Sequence, residues 1–88
     1  MGRFEAVAAE ATTLGAPGDG ADVFLKLGMM YSTGSNVPAD YVSAHKWFNI
    51  AAMRGSRDAI RLRREIAELM SEAEISTAQR AARDWLAR

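Results

Sequence analysis

Apolar residues recur at spacings of three and four along most of this chain, and short polar or glycine-containing breaks divide the pattern into five stretches. That spacing places one apolar stripe on each of five α-helices. The first is expected over residues 4–14, with Phe4, Val7, Ala8, Ala11 and Leu14 on one face; Gly15, Pro17, Gly18 and Gly20 then end it. The second is expected over 21–32, with Val23, Phe24, Leu27, Met30 and Tyr31 inward and Asp19 or Asp22 favoured at its amino end. Pro38 and Val37 before it close the following loop. The third helix is expected over 39–53, with Ala44, Trp47, Phe48 and Ala51 buried and Gly55 as a left-handed terminator. Ser56 can cap a fourth helix over 57–70, with Ala59, Leu62, Ile66, Leu69 and Met70 inward. Ser71 and Glu74 form a capping box that opens the last helix, whose stripe is Ile75, Ala78, Ala82, Trp85 and Leu86. Trp47, Trp85, Met29, Met30 and Met53 are read as packing residues. No alternating run of β-branched residues predicts a strand. Short breaks between helices make neighbours pack antiparallel, so the fold class is all-α: a short α/α solenoid of stacked helical hairpins.

One segment carries more than periodicity. Leu27-Gly28, Tyr31, Gly34, Val37, Asp40, Ala44, Trp47-Phe48, Ala51-Ala52, Gly55 and Ala59 stand in an order and spacing that resembles one full Sel-one-like repeat, a relative of the tetratricopeptide repeat. The small residues let paired helices approach, and the aromatics fill the wider parts of the interface. Val37 is expected to tuck under the loop, and the charge of Asp40 suits a helix amino end. Two positions depart from the family's pattern: Asn36 stands where a glycine is usual, and Val23 where an alanine is usual. Asparagine tolerates positive φ, so the turn survives. Val23 and Ala59 are 36 residues apart, one period. After Ala59 the pattern fades, with Arg63-Arg64 in place of the leucine–glycine pair. Three parts of one domain are expected: residues 1–20, a helix and a glycine/proline hinge; residues 21–55, the full repeat; and residues 56–88, a degenerate hairpin that caps the stack.

The resemblance implies a scaffold that holds another protein. Composition narrows the alternatives. The chain has 88 residues, no cysteine, and equal numbers of basic and acidic residues, 11 of each. Disulfides, zinc–thiolate sites and cysteine nucleophiles are thereby excluded, and a balanced charge disfavours a dedicated nucleic-acid binder. No apolar run reaches a membrane helix or a signal-peptide core, so a soluble, cytoplasmic protein without membrane contact is expected. The charge is unevenly placed, however: residues 54–88 carry eight arginines against six acids.

Candidate chemistry is sparse, and no catalytic, metal or cofactor residue is expected. His45, the single histidine, sits beside Lys46 with no acid one turn away, and reads as a solvated surface residue. The serines fall in caps, loops and polar faces. Gly15, Gly18 and Gly20 lack the strand and lysine of a phosphate loop. The strongest non-scaffold feature is the cluster Arg54, Arg57, Arg61, Arg63 and Arg64, of which Arg57, Arg61 and Arg64 share a face. Its plain interpretation is intrahelical pairing of Arg61 with Glu65 and Arg64 with Glu68, each worth a few tenths of a kcal/mol. Its functional interpretation is an acidic partner peptide. The expected function is therefore a non-catalytic adaptor that binds a partner on the exposed side of the second and fourth helices, through Lys26, Met29, Arg57, Arg61 and Arg64. A self-associating structural unit is the alternative, and a small enzyme or anionic-ligand domain, needing a pocket around His45, is the third.

Overall fold

The computed structural model describes residues 20–88, which form four helices: α1 (Ala21–Thr33), α2 (Tyr41–Met53), α3 (Arg57–Ala67) and α4 (Glu72–Leu86). The helix expected over 4–14 and the glycines at 15 and 18 lie outside the described residues. Among the described residues there is no strand.

Each boundary has a local cause. Gly34 takes φ 77° after α1 and its amide donates to the Met30 carbonyl at 2.9 Å, as left-handed glycines at helix ends do. Asn36 holds φ 68°, the positive angle expected of it. The Asp40 amide then donates to the Tyr31 carbonyl at 2.9 Å, folding the loop back on α1. Asp40 is the N-cap of α2, so this helix begins two residues later than Ala39. The Asp40 carboxylate accepts from the Ser43 hydroxyl at 2.8 Å and from the Ser43 amide at 3.1 Å. Those two bonds hold its carboxyl below the usual range. Gly55, at φ 105°, turns the chain out of α2, and Ser56 caps α3 by accepting from the Ala59 amide at 3.2 Å. Ser71 and Glu74 complete both bonds of the capping box, at 3.0 and 2.8 Å.

Packing centres on α2, which touches α1, α3 and α4; α1 and α3 meet at their margins. Phe48 is 1% exposed and is enclosed by Ala44, Ala51, Ala59 and Ile66, with Phe24, Leu25, Tyr31, Ala52, Leu62 and Met70 packed around them. Its ring lies against Gly28, so close that a Cβ built there would overlap the ring atoms. Ala78 and Ala82 are the buried positions of α4. Where α1, α2 and α4 converge, Phe24 stacks on Trp47 at 5.8 Å, and Trp85 stands edge-on to both rings, at 5.1 and 5.7 Å. Glu74 lies beside Asp40 and Tyr41, while Trp85 reaches Trp47, so α4 runs parallel to α2. That order, with α1 and α3 antiparallel to α2, is the sense of a helical-repeat stack.

Several inward positions are corrected. Val23 is 52% exposed, Met29 46%, Met53 68% and Leu69 67%. Val23 and Met29 lie on the side of α1 away from Phe48, and Met53 sits at the end of α2. Leu69 turns outward because α3 ends at Ala67, three residues before Met70; its last amides bond back over a tight turn, Leu69 to Ile66 at 3.0 Å and Met70 to Ala67 at 3.1 Å. Trp47, Trp85 and Tyr31 are half-buried rather than fully enclosed.

Gly28→Ala is expected to lower stability by about 1–3 kcal/mol, because the methyl must displace the Phe48 ring in a packed core. Urea unfolding should show a lower midpoint with the slope unchanged. Unaltered stability would mean that the helices separate at no cost.

Candidate functional site

Two surfaces compete for the functional role: the expected face of α1 and α3, and a groove between α3 and α4. On the first, Lys26, Met29, Arg57, Arg61 and Arg64 are all exposed. Arg61 is occupied within its own helix, 3.6 Å from the Asp58 carboxylate and 3.3 Å from that of Glu65. The Arg61–Glu65 pair is the one expected; Arg64 makes no such pair with Glu68. Both partners of the Arg61 pairs are more than half exposed, so the pairs contribute little stability. Of the five residues, Arg64 lines a concavity between α3 and α4.

That concavity is a groove of about 460 Å³ lined by His45 and Asn49 of α2, Arg63, Arg64 and Ala67 of α3, and Ile75, Gln79 and Arg83 of α4. Its construction follows from helix geometry. Ile75, Gln79 and Arg83 are four residues apart and share one face of α4, and His45 and Asn49 do the same on α2. Because α3 and α4 both rest chiefly on α2, the line between them stays open above that helix. Arg63 is half-buried and donates through Nη1 to Asn49 Oδ1 at 3.0 Å, which fixes its guanidinium over the floor. No carboxylate lines the groove, and among the described residues none of Arg63, Arg64 and Arg83 makes an ion pair.

His45 overturns the expectation of a solvated side chain: it is 3% exposed, and its Nδ1 has no hydrogen-bond partner. The physical reason is the central place of α2, which leaves this helix little outward face. Burial, with a smaller contribution from the positive Arg63, pushes the imidazole below its ordinary pKa of 6.5. The ring is therefore neutral at neutral pH. The groove does not supply the acid that a catalytic histidine would need: its charged residues are all arginines. Among the described residues no cluster of histidine and carboxylates could hold a metal ion.

A second depression, of about 480 Å³, is lined by Tyr31, Pro38, Ala39, Asp40, Tyr41, Val42 and Glu74. Both of its carboxylates are already engaged as caps of α2 and α4. It is a by-product of two helix starts lying side by side.

The sequence pointed to arginines on this part of the chain, and the groove brings together a different set from the one expected. Arg57 and Arg61 share a face with Arg64, yet Arg63 and Arg83 are the ones that join it across the groove. The available signal was the four-residue stripe of α4 combined with parallel stacking of α2 and α4. Asn49, Gln79 and Arg83 could have been found that way.

Comparison with known proteins finds a similarity confined to part of the chain. A family model described as the Sel1 repeat matches residues 25–56, about one repeat. No curated protein and no solved structure matches the chain. Sel1 repeats are helical, tetratricopeptide-like units that generally serve as non-catalytic protein-interaction modules. Among the described residues, no helix is long and apolar enough to cross a membrane.

The buried imidazole has a measurable consequence. His45 has a lowered folded pKa, so its contribution to stability is fully present above 6.5 and is lost as pH falls toward the folded value. The urea midpoint of the wild-type chain should therefore drop between pH 7 and pH 5, roughly the range below the unfolded histidine pKa, and His45→Leu should flatten that slope. A wild-type midpoint that stays constant across the range would show that the imidazole is hydrated after all.

Proposed function

Because residues 25–56 match the Sel1 repeat, we propose that this chain is a non-catalytic interaction module that holds a segment of a partner protein in the groove between α3 and α4. The observation that carries this reading is the groove itself, a concavity floored by α2 and walled by two helices. A volume of about 460 Å³ accepts a few side chains of an extended or helical segment rather than a folded domain. The lining mixes apolar Ile75 and Ala67 with polar Asn49, Gln79 and the arginines, which suits an interaction that buries side chains and fixes them by hydrogen bonds. On the outer face of α1 and α3, Arg61 is taken up by Asp58 and Glu65.

The test uses randomised peptide display against the purified chain, followed by affinity measurement on the recovered peptides. Gln79 is exposed and lines the groove, so Gln79→Trp should fill it without disturbing the core. Peptides selected on the wild type are expected to lose at least about tenfold in affinity on Gln79→Trp, the loss of roughly one well-buried contact. The pair Arg57→Glu/Arg61→Glu should leave them bound. The reverse outcome, with binding lost on the arginine pair and kept on Gln79→Trp, moves the docking site to the face of α1 and α3.

A further inference from the structure

The groove shows what kind of segment it takes. Three guanidinium groups converge there in a chain whose net charge is zero, with no acid among them. Like charges gathered in a concavity repel one another, and the low-dielectric walls concentrate their field. Elsewhere on α3 an arginine finds carboxylates in its own helix: Arg61 has Asp58 and Glu65. Arg63 instead gives one nitrogen to the neutral oxygen of Asn49, which orients the guanidinium and leaves its charge uncompensated. Arg64 and Arg83 stand on opposite walls, both exposed and without an ion pair among the described residues. Beneath them lies His45, a polar side chain that is 97% buried by its 3% exposure and whose Nδ1 has no partner. The unneutralised donors on both walls lack the same complement, an oxygen-rich anion.

We propose that the groove is a carboxylate-binding site whose occupant is an acidic stretch of the partner protein, received by Arg63, Arg64 and Arg83 above Asn49 and His45. This rests on the reading of the groove as the docking site. A carboxylate accepts paired N–H donors from an arginine fork, and such charge-assisted bonds gain strength where water is partly excluded. Acidic side chains are favoured over a nucleic-acid backbone for two reasons. The groove holds no phenylalanine, tyrosine or tryptophan on which a base could stack, and the His45 ring is buried. The arginines are also confined to one short concavity, whereas a phosphate chain needs a basic track. Binding also couples to protons. An anion seated over His45 opposes the burial and the Arg63 charge that keep the ring neutral, so the occupied groove takes up a proton more readily. The charged residues lining the groove with His45 are Arg63 and Arg64 from α3 and Arg83 from α4; α1 contributes no residue to the lining. Affinity for the acidic segment should thus rise as pH is lowered through the region just below 6.5.

The probe is hexaglutamate, with hexaglutamine as its uncharged twin and a ten-nucleotide oligothymidylate as the phosphate control, each titrated into the isotope-labelled full chain and followed by NMR. Hexaglutamate is expected to shift the signals of Asn49, Gln79 and His45 saturably and to raise the His45 imidazole pKa. Hexaglutamine should leave them unmoved. Arg64→Gln/Arg83→Gln replaces two exposed side chains, so the fold should persist and affinity should fall by roughly fivefold or more as charge-assisted bonds are lost. The proposal is overturned if both hexapeptides bind alike, if hexaglutamate shifts only residues around Arg57 and Arg61, or if the oligonucleotide binds the groove more tightly. Failure of this proposal is separable from failure of the docking reading: display peptides that are neutral yet are displaced by Gln79→Trp would retain the groove as the docking site and remove only its acid preference.

Discussion

The contact between Gly28 and Phe48 is the constraint on which the rest of the structure depends. With no side chain at position 28, the backbone of α1 comes down onto the Phe48 ring, and nothing larger than hydrogen fits between them. This close approach leaves Phe48 and its small neighbours Ala44, Ala51 and Ala59 with essentially no exposed surface. The core is then one large ring set among alanine methyls and Ile66, with Leu25, Leu62 and Met70 closing its margins. Tyr31 packs at the flank of that interior. Trp47 is directed to the convergence of α1, α2 and α4, where it meets Phe24 and Trp85. Separating α1 from α2 would therefore open the ring contact and loosen the aromatic cluster as well.

A second consequence is the central position of α2. Its 13 residues pack against every other described helix, so burial reaches beyond the narrow stripe of Ala44, Phe48 and Ala51. Ile50 is fully buried and His45 nearly so, although neither belongs to that stripe. A hydrophobic pattern read with one face per helix describes a helix at the edge of a stack. It underestimates a helix with neighbours on three sides, which is why His45 reads as a surface residue in sequence and is an internal one in space.

What was legible follows the range of the forces involved. Capping and turn chemistry acts over three or four residues, and the sequence states it directly: Asp40 and Ser56 as caps, the reciprocal Ser71–Glu74 box, and positive φ at Gly34, Asn36 and Gly55. The repeat pattern was equally plain because its small residues answer to close helix contacts, as Gly28 does to Phe48, or to turns, as Gly34 and Gly55 do. Positions decided by helix–helix orientation were not legible. Leu69 and Met70 both continue the periodicity of α3, but the helix stops at Ala67, and the turn after it sends Leu69 outward while Met70 packs on the core. The Arg64–Glu68 pair failed for the same reason, since Glu68 already belongs to the helix end. The arginine groove depended on where α4 lies relative to α3, and no local pattern encodes that.

The groove and the buried histidine have one origin. A repeat stack sets each new hairpin against the helix before it. Here α3 and α4 both lean on α2 more than on each other, which leaves a strip of α2 as the floor of the groove between them. His45 and Asn49 occupy that strip, and polar residues there are tolerated only if something satisfies them. Asn49 is satisfied by Arg63, and the partner left over is the nitrogen of His45. Filling the strip with leucine and alanine would have made a tighter cap with no opening. A polar floor under three uncompensated arginines costs folding energy in the isolated chain. A ligand that brings negative charge recovers part of that cost only when it is bound, and differential stabilisation of this kind is what binding affinity consists of.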